Sequence, residues 1–195
     1  MRVLLTFTEP LLGTRSGNPE LTEEYIVNKR PDGPAADELE TLPVGEELTK
    51  TSTLFTRNKN DEPILWDYQI KGFFKDACSM LRRVKGTRSS KIRAYRKIID
   101  GLIFVTPRQI PIVLAGEIEW LERPLRVTTA QGERVALARS EMIPIDSAIE
   151  IDISVLDKQL EKPVVEWLEY GRLRGLGQWR NASYGRFEFE SLSEK

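Results

Sequence analysis

The chain has 195 residues, 40% hydrophobic and 30% charged, with a formal net charge of −1. That length and mixture suit one globular domain with a heavily charged surface and exclude a disordered chain. One cysteine, Cys78, and no histidine exclude an internal disulfide, an ordinary zinc site, a Cys–His nucleophile and the usual general base at neutral pH, and point to a reducing, cytoplasmic location.

The opening segment Arg2–Thr8 is rich in β-formers and closed by Glu9-Pro10, so it reads as a buried strand and not as a signal peptide. Leu12–Asp61 is poorly periodic and interrupted by glycines and prolines. It reads as a long irregular insertion with one short helix near Leu21–Asn28. Over Tyr68–Val84, Ile70, Phe73, Phe74, Ala77, Met80, Leu81 and Val84 recur at three- and four-residue spacing, which predicts a helix stopped by Gly86. A second, basic helix is expected over Ser90–Ile99.

Gly101–Thr106 and Ile110–Leu121 are strand-like. Leu125–Ala130 and Arg134–Arg139 flank Gln131-Gly132-Glu133, which predicts a protruding hairpin with Arg126, Arg134 and Arg139 facing solvent. Ala148–Val155 alternates isoleucines with Glu150, Asp152 and Ser154, the pattern of a half-buried strand. Pro163 opens a helix to about Arg174, with Val164, Trp167, Leu168 and Leu173 on its inner face, and Tyr184–Glu190 is the last strand. No apolar run reaches the roughly 20 residues of a membrane helix.

The main elements follow the order β, α, β, β, α, β. This is the order of an α+β, ferredoxin-like (RRM-like) core in a single domain over 1–195, with insertions at about 12–61 and 123–143. Such a sheet offers one face, or a groove beside it, to single-stranded RNA.

The near-zero net charge hides local excess. Ala77–Ile99 holds no acid but contains Arg82, Arg83, Lys85, Arg88, Lys91, Arg93, Arg96 and Lys97. Gly171–Phe187 is also free of acids and contains Arg172, Arg174, Arg180 and Arg186. Self-repulsion of this kind is relieved by a polyanion, so both stretches point to phosphate contact. The second stretch includes Gly175, Gly177, Gly185, Trp179 and Tyr184. Glycines let backbone amides approach phosphates, and the aromatics offer faces to bases. Taken alone, the loop equally fits a tight helix-to-strand connection. Trp120 and Trp167 read as core residues, and Trp66 and Trp179 as the better ligand candidates.

GLGQWRNASYGRFEF, Gly175–Phe189, resembles the glycine-rich loop before the last strand in the RAMP superfamily of CRISPR-associated proteins. Tyr68–Ala77 resembles the start of the first helix in the family's backbone subunits. Lys71-Gly72 matches, Lys75 stands where Arg is usual, and Ile70 where Ser is usual. FTEPLLG, Phe7–Gly13, resembles the first strand running into a glycine turn, and Ala182-Ser183 stands where a further glycine is common.

The resemblance implies RNA backbone binding without cofactor or metal, often as one copy in a multi-subunit ribonucleoprotein with other CRISPR-complex subunits, and it leaves room for an oligomer. The residues it singles out, with the basic stretch, are Lys71, Gly72, Arg82, Arg83, Arg88, Arg93, Arg96, Gly175, Gly177, Trp179, Arg180, Tyr184, Gly185 and Arg186. No catalytic residue carries over, because Asp32, Asp37, Asp61 and Asp67 match no motif. The alternatives are a metal-independent endoribonuclease of the same fold and a mobile-element mimic of a CRISPR subunit acting through protein contacts.

Overall fold

The computed structural model describes residues 1–17, 52–129 and 132–192, and only the backbone of 125–129 and 132–136. The expected helix at Leu21–Asn28 and the turn residue Gln131 lie outside the described residues. The elements are strands β1 (Arg2–Phe7), β2 (Leu11–Leu12), β3 (Arg15–Ser16), β4 (Ser52–Leu54), β5 (Thr56–Arg57) and β6 (Pro63–Trp66), then helices α1 (Asp67–Leu81) and α2 (Tyr95–Leu102). Strands β7 (Ile103–Thr106), β8 (Gln109–Val113), β9 (Glu119–Thr129), β10 (Gly132–Ile143) and β11 (Ala148–Val155) follow, then helix α3 (Glu161–Arg174) and strand β12 (Phe187–Leu192).

Two sheets result. The larger runs β12-β1-β11-β8-β6-β5, with β7 also paired to β11. The pairs of β1 with β11 and β12, and of β11 with β7, are antiparallel. The first and last strands of the chain therefore share one sheet, as the sequence predicts. The smaller sheet runs β2-β10-β4-β3, with β9 paired to β10.

Alternation decides which face of the large sheet is covered. Val3, Leu5 and Phe7, Ile149, Ile151 and Ile153, and Ile103 and Val105 point inward and are buried. They meet Phe73, Phe74 and Ala77 of α1 and Val164, Trp167 and Leu168 of α3 in one core. Leu11, Phe55 and Ile143 join the small sheet to the same core. The other face carries Leu4, Thr6, Phe104, Glu150, Asp152, Glu188 and Glu190. Helix α1 starts where the Gln69 side chain accepts the Trp66 amide at 2.7 Å, with Asp67 favourable at the positive helix end. It ends where the Thr87 hydroxyl lies 2.8 Å from the Leu81 carbonyl.

Several expectations need correction. Ile110–Leu121 is not one strand: β8 ends at Val113 and β9 begins at Glu119 in the other sheet. Between them the Ala115 amide donates to the Ser147 hydroxyl at 3.1 Å and the chain crosses over. Residues 52–57, read as irregular, form β4 and β5. The buried Glu141 carboxylate holds them, accepting the Phe55 amide at 2.6 Å and Arg57 at 2.7 Å. The basic helix expected over Ser90–Ile99 begins only at Tyr95. A 3-10 turn at Ser89–Lys91 and a left-handed Ala94, φ 48°, precede α2, which runs on to Leu102 and absorbs the expected start of the next strand. The hairpin arms are longer than expected, with Gly132 already paired to Thr129. Tyr184 and Gly185 belong to the loop before β12. Val84 and Leu173 are exposed, since one lies past the end of α1 and the other turns away on α3. Trp120 is also exposed, at 43%, with the Arg139 guanidinium 4.0 Å from its ring. Arg139 is thus half-covered and paired to Glu122 at 3.2 Å, not free in solvent.

Candidate nucleic-acid interface

The stretch after α1 is held by a buried polar relay. Trp167 Nε1 donates to Ser89 Oγ at 2.8 Å, and Ser89 Oγ donates to Glu166 Oε2 at 2.5 Å. The Glu166 carboxylate also accepts the amides of Arg88 at 2.7 Å and Ser89 at 3.0 Å. A charged acceptor with several donors makes strong, directional bonds, so the loop is fixed from below. Cys78 adjoins Ser89, and burial pushes its thiol above the ordinary value.

On that support Arg82, Arg83, Lys85, Arg88, Lys91, Arg93, Arg96 and Lys97 are all exposed. No carboxylate of a described residue forms an ion pair with any of them. Arg82 and Arg96 both lie over the Tyr95 ring, at 5.4 and 5.9 Å. Hydrogen bonds to Ser79 and Arg96 hold the Tyr95 phenol below its ordinary range.

The glycine-rich loop is engaged differently. Asp76 of α1 receives Arg174 Nε and Arg180 Nη1, each at 2.8 Å. The carboxylate raises the Arg174 pKa, so that side chain stays charged. Arg186 Nε donates to the Leu173 carbonyl at 3.1 Å. Gln178 Nε2 reaches the Gly13 carbonyl, Thr53 Oγ1 at 2.7 Å and Ser140 Oγ at 3.2 Å, tying the loop to the small sheet. Between these anchors Trp179 adopts φ 51°, stacks on Tyr184 at 5.1 Å and 13°, and carries the Arg123 guanidinium 3.8 Å from its ring centroid.

The fourteen singled-out residues therefore fall into groups. Arg82, Arg83, Arg88, Arg93 and Arg96 form one exposed cationic surface. Lys71 is partly spent, donating to the Asp100 carbonyl at 3.1 Å beside the Phe104 ring. Arg180 and Arg186 serve the loop. Gly175 and Gly185 are needed by the loop itself: a Cβ would lie 2.4 Å from the Tyr184 carbonyl oxygen and 2.0 Å from that of Leu176. Gly177, with φ +80°, packs beside Leu11. Gly72 is the opposite case, because a Cβ there would meet nothing within 4 Å. Sequence reading missed Arg123, Asp76, Gln178 and Glu166. Arg123 has no local signal, since only the fold carries β9 to the loop.

Among the described residues, no three potential metal ligands cluster and no helix is long and apolar enough to cross a membrane.

No family model matches the chain, and no curated protein does. Solved structures do. A chain of a type III-B Cmr-beta complex bound to cognate target RNA aligns at 13% identity and TM-score 0.51, covering 98% of this chain and 60% of that one. This chain thus spans less than two thirds of that neighbour's length. A chain of a type IV-B CRISPR complex aligns at 9% identity and TM-score 0.48, over 100% of this chain and 92% of that one. Cmr6 from Pyrococcus furiosus aligns at 12% and 0.46, over 96% and 97%. The first of these shows that the mixed α+β fold is one used by a chain of a CRISPR complex.

Proposed function

We propose that this chain is an RAMP-like, RNA-binding subunit of a CRISPR-type ribonucleoprotein, working in the cytoplasm and gripping the sugar–phosphate backbone of a single RNA strand. The large sheet is then a ferredoxin-like core in one domain over 1–195, a reading supported by the neighbour order β12-β1-β11-β7 with every pair antiparallel. The observation that carries the function is the cationic surface Arg82–Lys97, free of ion pairs among the described residues and held in place by the Ser89–Glu166–Trp167 relay. Eight exposed cations that form no ion pair with a described residue repel one another, and a phosphate chain offsets that cost.

Helix α1 links this surface to the glycine-rich loop. Asp76, which holds Arg174 and Arg180, stands five residues before the end of α1 at Leu81, about 8 Å at 1.5 Å per residue from the turn where the basic segment begins. Lys71, Gly72 and the loop lie further along the same helix, so the strand's path runs from the basic segment along α1 towards the loop.

The test is a salt titration of RNA binding. Replacing Arg88, Arg93 and Arg96 with Glu should weaken binding at least tenfold and flatten the log–log salt slope by about 2, at roughly 0.7 per phosphate contact on a single strand. Intact labelled RNA after incubation fits a binding subunit, whereas cleavage products would favour an endoribonuclease. Unchanged affinity and slope in the variant would remove the reading.

A further inference from the structure

The loop and the hairpin root meet at one indole. Gln178 fixes the loop to Gly13, Thr53 and Ser140 on one side of Trp179, and Arg180 fixes it to Asp76 on the other. Trp179 between them is held at φ 51°, ψ 36°, a left-handed conformation that bulky side chains rarely take. Ser183 shares it at φ 73°. Such strain persists only where the surroundings impose it, and it gathers at ligand sites. Despite two anchors and a stacked Tyr184, Trp179 stays 42% exposed.

Arg123 adds the second observation. Its guanidinium lies 3.8 Å from the Trp179 ring centroid, with no ion-pair partner among the described residues. Its Nε and Nη1 are out of solvent and have no hydrogen-bond partner among the described residues. Buried donors left unsatisfied are costly, so an Arg in that state is a cation waiting for a counter-charge. The nearest strong interaction it makes is with a π face. A nucleotide supplies both missing elements at once, a flat base and, a few ångströms away, a phosphate.

We infer that Arg123, Trp179 and Tyr184 form a nucleobase-stacking site, in which one unpaired base of the bound RNA joins the aromatic stack while its phosphate neutralises Arg123. The inference rests on the RNA-binding reading and goes beyond it, because it gives the chain a base contact in addition to a backbone grip. Stacking strength grows with the size of the π system, so the site favours adenine over uracil modestly.

The test compares a twelve-residue oligoadenylate with a base-free ribose–phosphate oligomer of equal length. Wild-type protein should bind the oligoadenylate at least tenfold more tightly. Trp179→Ala should remove most of that difference while keeping its affinity for the base-free oligomer, which also certifies the fold, and Trp179→Phe should restore it. Arg123→Ala should weaken binding of both oligomers and lower the salt slope by about 0.7. Should Trp179→Ala lose its fold, Tyr184→Leu takes its place with the same expected pattern. Wild-type protein that binds both oligomers equally overturns the stacking site and leaves the backbone grip standing. Protein that binds neither overturns both.

Discussion

Asp76 is the residue on which the loop's charge balance turns. Its carboxylate receives Arg174 and Arg180 at 2.8 Å each, and all three side chains are mostly covered, with 20–29% exposure. Hydrogen bonds to charged groups at such sites are worth about 1.5–3 kcal/mol. Asp76→Asn should therefore lower unfolding free energy by about 2 kcal/mol in denaturant titration. It should also leave RNA affinity intact or raise it, because two arginines are released towards the proposed phosphate path. A variant that loses RNA binding while staying folded would make Asp76 part of the contact. The acid-free windows Ala77–Ile99 and Gly171–Phe187 told only half of this, since acids outside the second window compensate it: Asp76 takes Arg174 and Arg180, and Glu169 and Glu188 flank Arg172 at 3.7 and 3.9 Å. Asp76 sits one residue before the first window, and Asp100 one residue after it, where it pairs with Lys75 at 2.6 Å. Charge density along a sequence is legible; its neutralisation across space depends on which helix packs on which loop.

Helix α1 shows what an element adds. Its buried stripe was plain from spacing, and so were β1, β11 and α3, because burial on one face writes a period into the sequence. Its end was not, since Arg82–Val84 leave the helix through tight turns that no apolar period records. The two glycine classes behave oppositely. Gly72 lies mid-helix with open space at its Cβ, so Gly72→Ala should stabilise the protein by about 0.5–1 kcal/mol. If RNA crosses the helix there, the same change weakens RNA binding severalfold; tighter folding with unchanged binding would remove Gly72 from the path. At Gly185, φ +70° and a Cβ only 2.0 Å from the Leu176 carbonyl oxygen mean that Gly185→Ala should cost about 2 kcal/mol or more, read as a lowered thermal midpoint. Sequence alone could not separate a glycine that makes room for a ligand from one that makes room for its own loop.

At the scale of the whole molecule the large sheet separates two electrostatic faces. The helices cover its inner face, and the cationic segment follows α1 on that side. Its outer face carries Glu150, Asp152, Glu188 and Glu190, with Arg2 paired to Glu150. The sequence expectation is one open sheet face, or a groove beside it, as a platform for RNA, the first being the mode of RRM domains that stack bases on sheet aromatics. Here Phe104 is an exposed aromatic of that face, partly covered by Lys71, and carboxylates surround the central strands. Phosphates are repelled there, so the RNA-binding function proposed above puts the strand on the helix side. The outer acids and the basic segment are both open to solvent, on opposite sides of the sheet and its helices, and exposed charges further apart than the roughly 8 Å screening length at physiological salt interact weakly. Glu150→Gln, Asp152→Asn and Glu188→Gln together should therefore leave RNA affinity within about twofold at 0.15 M salt. If RNA instead lay across the sheet, removing three carboxylates beneath it would tighten binding about tenfold or more, and Phe104→Ala would weaken it. Equilibrium binding of the triple variant and of Phe104→Ala, measured beside the wild type, decides between the two faces.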